Sequence, residues 1–565
     1  MNNGLISFEN KINYPNPVFI RERTVLLDGK WEFRSDKINS RDINVPFCPQ
    51  SALSGIGFTD FISVCYYKKK VNIERAEGES VIINFGAADY LSVLFVNGKY
   101  VGKHTGGFTS FSFDITDFVV NGENSLELTV YDSNGDIAFG KQSYAEKSFG
   151  CFYTRTTGIW QSVWLEYSYP QRILSVMLAP DAKNNSVSVD LRLTGKGNAT
   201  VEIFYDGKLI EACSKEVKYR GKFKIPLSET HLWGVGEGNV YDVIVSFGKD
   251  RVQSYFGLRD VCYDGYRFLL NGKSVFQKLV LDQGFNQQGI YTSPSTDFML
   301  GDIKRALKLG FNGARLHQKV FEPKFLYLCD KLGYLVWGEF PSWGVDYSHL
   351  GYFGEFISQW QETVSRDFNH PSVITWCPLN ETWGYRDDFD KKRDVNFVEA
   401  VYEFTKRLDP TRPCVDTSGG HHGGKTDLFD FHCYESAEKV AEYLKKLDEQ
   451  GVLDMPNLYC EGENVKYSGG AVNISEYGGF SLNDGAENAD SWGYGNGANG
   501  GDEFVNRYSE LTRIVFSCKK LSGFCYTQLY DVEQEKNGFY RYDRTPKLSE
   551  EQIAEIRKVN SERDE

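Results

Sequence analysis

From about residue 258 to the C-terminus, strand-like and helix-like segments alternate, and no other feature of this 565-residue chain narrows its fold so far. Short apolar runs at Val275–Asp282, Gly313–His317, Tyr334–Glu339, Val373–Pro378, Pro413–Asp416, Phe429–His432, Val472–Glu476 and Gly523–Gln528 read as buried strands. Between them, segments with helical spacing lie near Asp297–Leu309, Glu322–Leu332, Phe353–Asp367, Val395–Leu408, Ala437–Glu449 and Glu503–Leu521. Parallel strands need crossovers, usually helices, so this alternation predicts a parallel sheet. Eight strands in roughly 300 residues predict a (β/α)8 TIM barrel over 258–565.

The part before the barrel reads as all-β. Ser80–Phe85, Leu91–Val96 and Ser125–Tyr131 are short apolar or alternating runs, separated by turn pairs such as Asn97-Gly98 and Asn121-Gly122. They predict a jelly-roll β-sandwich over 1–168. Ser186–Leu193, Val201–Tyr205 and Val240–Phe247 repeat the style over 169–257, a length that suits an immunoglobulin-like sandwich.

Bulk properties exclude several classes. A net charge of −14 argues against nucleic acid, whose phosphates call for a surplus of Lys and Arg. No run approaches the ~18 apolar residues that cross a bilayer, and Met1 to Lys30 lacks the apolar core of a signal peptide. The 12 cysteines form no C-x-x-C pair, and Cys377, Cys433 and Cys525 fall in apolar runs, as reduced, buried thiols of a cytoplasmic protein would. Whether the chain forms a homo-oligomer stays open.

Barrel chemistry sits where strands end at their C-terminal face, so polar residues closing apolar runs are the candidates. Two carboxylates stand out. Glu381 follows the run Val373-Ile374-Thr375-Trp376-Cys377 in Asn380-Glu381-Thr382-Trp383, and Glu476 ends Val472-Asn473-Ile474-Ser475. A lone glutamate at a strand end is ordinarily a solvated loop residue. Two of them, on the fourth and seventh predicted strands, face each other across a barrel mouth. Glycosidic cleavage uses such a pair, with retention at a separation of about 5–5.5 Å and inversion when the gap is wider.

With these residues in place, the chain resembles glycoside hydrolase family 2, the family of β-galactosidases, β-glucuronidases and β-mannosidases. The resemblance also covers Thr157-Gly158-Ile159-Trp160-Gln161, closing the first domain, and Leu270-Asn271-Gly272-Lys273, opening the barrel. It implies Glu381 as acid/base, Glu476 as nucleophile and Asn380 as donor to the sugar 2-hydroxyl. It also implies Arg315 beside the nucleophile, His432 and Tyr434 at the nucleophile or sugar, and Glu339 either behind the residues that touch the sugar or in ground-state binding. His317 is a further hydroxyl ligand or a structural histidine. Trp337, Trp343 and Trp492 are candidate walls of the sugar subsite. The loop 419–424, with His421 and His422, reads as flexible and not as a metal site.

Several positions depart from the best-known members. The Asn-x-Lys with which glucuronidases grip a sugar carboxylate is here Glu535-Lys536-Asn537, which disfavours a uronic acid. Phe152 stands where galactosidases and glucuronidases carry an aspartate, and Gln318 replaces a histidine after the second strand. Trp343-Gly344-Val345 replaces the Glu-x-His of magnesium-dependent galactosidases, so neither metal nor cofactor is expected. The resulting expectation is a retaining exo-β-glycosidase acting on an oligosaccharide or glycoside with a terminal neutral sugar. Galactose is the first guess; glucose or another neutral hexose is the alternative. Transglycosylation and a non-catalytic carbohydrate-binding protein are the rivals.

Overall fold

The protein's structure, a computed structural model, describes residues 4–133, 135, 137–383, 392–461, 465–483, 485 and 490–563. The first domain packs two antiparallel sheets face to face. One has four strands in the order Thr24–Leu26, Val163–Ser168, Ser80–Phe85, Phe111–Asp114. The other has six, in the order Arg41–Val45, Gly29–Ser35, Val64–Ile73, Gly122–Tyr131, Leu91–Val96, Lys99–Thr105. Alternation along these strands turns Trp31, Phe33, Leu94, Val96, Leu126 and Leu128 inward, into one apolar core.

The second domain is built on one long hairpin, Ser186–Tyr205 paired with Lys208–Pro226. Asp206 and Gly207 both have positive φ (48° and 74°), as a tight two-residue hairpin turn requires. The pairing register breaks between Arg192 and Lys196. Before the break the strand pairs with Ile173–Asp181, and after it with Tyr241–Phe247, so the hairpin serves two flanks of a sandwich.

In the third domain seven parallel strands run in the order Val373–Cys377, Leu335–Glu339, Gly313–Leu316, Gln277–Asp282, Leu521–Thr527, Val472–Gly478, Phe429–Cys433. The fifth expected strand, Pro413–Asp416, is not one. It makes a single bridge, with Trp376 N donating to Pro413 O and Val415 N to Trp376 O, both at 3.0 Å. The amides of Cys414, Asp416 and Gly419 are taken by the side chains of Asp427, Thr426 and Asp430. Side chains thus replace the ladder that would join this segment to Phe429–Cys433. The barrel is therefore closed at this point by a loop-like stave.

Helices Phe353–Asp367 and Val395–Leu408 fall where the sequence places them, and the other four differ at their ends by a few residues. The Glu503–Leu521 expectation becomes Gly501–Ser517, because Leu521 already belongs to the last strand. A seventh helix, Glu550–Ser561, was not anticipated; it opens on a capping box between Ser549 and Gln552.

The first domain does more than flank the barrel. Its Ala138, Tyr153 and Trp160 belong to the same buried cluster as the barrel residues Phe285, Tyr291 and Phe340. The loop 139–153 lies across the barrel mouth. Phe139 N donates to Trp343 O (2.8 Å), and the loop's Gly150 O accepts from Trp492 Nε1 (2.8 Å). Gly140 makes the approach possible: at φ 61°, an added Cβ would lie 2.6 Å from Gln318 O and 2.7 Å from Pro341 Cβ.

Candidate active site

Arg315 sits on Gly313–Leu316 with its side chain fully buried and pointing into the barrel. An unsatisfied guanidinium there would be very costly, and every arm has an acceptor. Nε donates to Glu339 Oε2 at 2.6 Å, Nη1 to Glu476 Oε1 at 2.8 Å, and Nη2 to Asn380 Oδ1 at 2.5 Å. One cation therefore ties the ends of four strands together. Glu339 is equally buried, and its other oxygen accepts from Gln318 N (3.1 Å). Burial works against its charge, yet Arg315 and His317 hold it down at about 2. Both its oxygens are engaged within the protein, by Arg315, the Gln318 amide and His317.

Glu381 and Glu476 meet around His432. His432 Nδ1 is 2.6 Å from Glu381 Oε1, and its Nε2 is 3.3 Å from Glu476 Oε1. One oxygen of each carboxylate and a ring nitrogen lie within 4.8 Å of one another. Burial disfavours the imidazolium, but Glu476 and Glu381 outweigh it and raise the His432 pKa. In turn Glu381, which burial alone would push up, is held at about 2, chiefly by His432. Trp376 points outward against Trp360 and donates to Asp409, whereas Trp383, partly exposed beside His421, hydrogen-bonds Glu381.

Three ligating atoms at this spacing also suit a cation. Arg315 Nη1 already lies 2.8 Å from Glu476 Oε1, however, so a divalent ion would meet a fixed positive charge. The donor set does not fit a metal.

The remaining residues order the site. The Tyr434 hydroxyl donates to Glu476 Oε2, and its ring stacks on Tyr494 with centroids 3.4 Å apart. Asn380 Nδ2 is buried without a partner among the described residues. Glu381 carries a positive φ of 37°, and its N donates to Ser418 O at 2.8 Å; such strained backbone concentrates at working sites. His317 Nδ1 is 3.1 Å from Glu339 Oε1 and 4.0 Å from Glu476 Oε1, and burial lowers its pKa. Trp343 is at the mouth, donating from Nε1 to Asn380 O (3.0 Å). Trp492 lies one ring further out, 5.3 Å from Tyr494, and Trp337 is core, donating to Gln277.

In the 419–424 loop His422 is anchored by two aspartates. His422 is buried 2.6 Å from Asp416 Oδ1 and 3.3 Å from Asp430 Oδ1, which against the effect of burial raise it to about 10. The Gly/Asn/Asp-rich segment 481–501, which the sequence reads as a long loop after the seventh expected strand, lies in part (residues 484 and 486–489) outside the described residues.

Sequence reasoning missed Lys141. It comes from the first domain's loop, is only 7% exposed, and holds its ammonium 4.2 Å from the Trp343 ring centroid. Burial opposes its charge, but Cys151, Glu535, Glu476 and Glu381 around it raise its pKa. No motif marks it, because its neighbours belong to another domain.

Comparison with known proteins agrees with this architecture. Family models described as "Glycosyl hydrolases family 2" match in three consecutive parts: the sugar binding domain over 20–169, a further part over 171–259 and the TIM barrel domain over 264–477. The chain belongs to glycoside hydrolase family 2. Among its family 2 relatives, a putative β-glucuronidase of Formosa agariphila is 26% identical over 61% of this chain and 44% of its own length. A β-glucuronidase of Dictyoglomus thermophilum superposes with a TM-score of 0.77 at 21% identity, covering 97% of this chain and 98% of the other. A β-galacturonidase of Eisenbergiella tayi bound to galacturonate gives 0.76 at 19% identity, covering 96% and 98%. This family 2 chain spans about half the length of the first curated relatives it matches. The comparisons run against the neutral sugar expected from the sequence: although β-galactosidases occur among the relatives, glucuronidases and galacturonidases predominate. Among the described residues no helix is long and apolar enough to cross a membrane.

Proposed function

We propose that this chain is a retaining exo-β-glycosidase that removes a terminal β-linked hexuronic acid, glucuronic or galacturonic, from a glycoside. The observation that carries the mechanism is the placement of one oxygen of Glu381 and one of Glu476 within 4.8 Å of each other, close enough for a double displacement. The predominance of uronidases among the relatives supports the substrate class. The loop 139–153, lying between Trp343 and Trp492, supports exo action by limiting the mouth to one end of a sugar chain.

Glu476, oriented by Arg315 and Tyr434, attacks the anomeric carbon. Glu381 delivers to the leaving oxygen a proton relayed from His432 Nδ1 across their 2.6 Å contact. The free Nδ2 of Asn380 donates to the 2-hydroxyl, a contact that tightens as charge develops on the ring. Water activated by Glu381 then cleaves the glycosyl-enzyme, and the proton returns to the Glu381–His432 pair.

Rates on 4-nitrophenyl β-D-glucuronide, galacturonide, glucoside and galactoside test this reading. Uronides are expected to give the highest kcat/KM, and Glu476→Gln to lower it by about a thousandfold or more with the fold intact. Hydrolysis of the neutral glycosides alone, or full activity in Glu476→Gln, would contradict it.

A further inference from the structure

We infer that Lys141 is the residue that receives the carboxylate of the substrate, so that the first domain and not the end of the barrel supplies the cation. The inference rests on the uronide reading above and says which residue of this chain carries it out.

The place where glucuronidases present their gripping lysine is occupied here by acid and amide. Glu535 is buried; its Oε2 accepts from the Tyr153 hydroxyl and its Oε1 from Asn537 Nδ2 at 3.0 Å. Asn537 Oδ1 accepts from Gln528 Nε2 (2.7 Å), and Gln528 Oε1 from Gln283 Nε2 (2.7 Å). Lys536, between them, has its charge acting on Asp531, away from this network. A substrate carboxylate arriving beside Glu535 alone would be repelled.

Lys141 answers that charge from the first domain's loop. It makes no ion pair within 4 Å among the described residues, although it is more than nine-tenths buried. In so enclosed a setting an ammonium with no counter-ion in contact favours an incoming anion. The carboxylates of Glu535, Glu476 and Glu381 all act on it, which places it over the same mouth as the catalytic pair. Its backbone is fixed on both sides: Gly140 N donates to Trp343 O (3.1 Å), and Lys141 O accepts from Tyr153 N (2.8 Å). The same Tyr153 touches Glu535, so the lysine and the acid are held by one short piece of chain. Trp343, beneath the ammonium, limits where it can swing. Relative to the glucuronidase pattern the two domains have exchanged charges. Phe152 replaces the first domain's acid, Lys141 adds a cation, and Glu535 replaces the barrel's amide.

The test compares 4-nitrophenyl β-D-glucuronide with its methyl ester, in which a methyl group caps the carboxylate and removes the charge, in wild type, Lys141→Met and Lys141→Arg. Wild type is expected to prefer the acid, Lys141→Met to lose about 30-fold of that preference, and Lys141→Arg to keep most of it. Equal losses on acid and ester in Lys141→Met, or no loss, would overturn the assignment. Glu535→Gln gives an independent reading if Lys141→Met does not fold. Removing the competing acid is expected to lower KM for the glucuronide several-fold above neutral pH, and an unchanged KM would overturn it. Failure of wild type to hydrolyse any uronide would instead overturn the substrate reading on which this one stands.

Discussion

A side chain's charge is set by what faces it in space, and Glu381 illustrates the point. Its strand, its Asn380 neighbour and its place at the mouth are all legible locally. Its ionisation is not, because His432 stands 51 residues away and reaches it only when two strands of one barrel converge. The resulting pair predicts a pH signature. With the His432 pKa raised, the proton used in catalysis is held to higher pH than a free imidazole would hold it and is lost as pH rises through that raised value, which sets the alkaline limb of kcat. In His432→Gln the limb should pass to Glu381 itself, a carboxyl, and move to lower pH, with kcat falling about tenfold or more and KM changing less. An unmoved limb would assign His432 a structural role only.

Among elements, continuous apolar runs made the barrel strands legible, since strands buried on both faces need no alternation. Helices such as Phe353–Asp367 carried one clear apolar face. The Pro413–Asp416 stave failed for a reason that lies outside its own residues: Asp427, Thr426 and Asp430 take the amides that a neighbouring strand would have paired. The same region holds His422 between Asp416 and Asp430. Its folded pKa of about 10 exceeds the ordinary histidine value, so its contribution is full below about pH 6.5 and is lost as pH rises through 10. His422→Gln should lower stability at pH 7 by roughly 3 kcal/mol and flatten the decline between pH 7 and 10. Denaturant melts across that range check it; an unchanged slope would place the proton elsewhere. The Glu550–Ser561 helix was signalled by Ser549 and Gln552 at capping-box spacing, a cue too short to stand out without the packing that it leads into.

For the whole molecule, the three-domain order was readable because each domain has its own periodicity, while the way they cooperate was not. Tyr153, Trp160 and Lys141 belong in sequence to the jelly roll and in space to the barrel mouth. A fragment beginning at residue 258 would expose the barrel surface these residues cover, and is expected to aggregate and to lack turnover, as gel filtration with an activity assay would show. A soluble, active fragment would mean that the first domain's loop is dispensable. The central claim, that Glu381 and Glu476 act on one anomeric centre from opposite faces in two displacements, is read most directly from the first sugar released. Proton NMR during early hydrolysis of a β-glycoside should show the β-anomer first, with the α-anomer growing in only by mutarotation. An α-anomer formed first would mean inversion, and the two carboxylates would not be working as assigned.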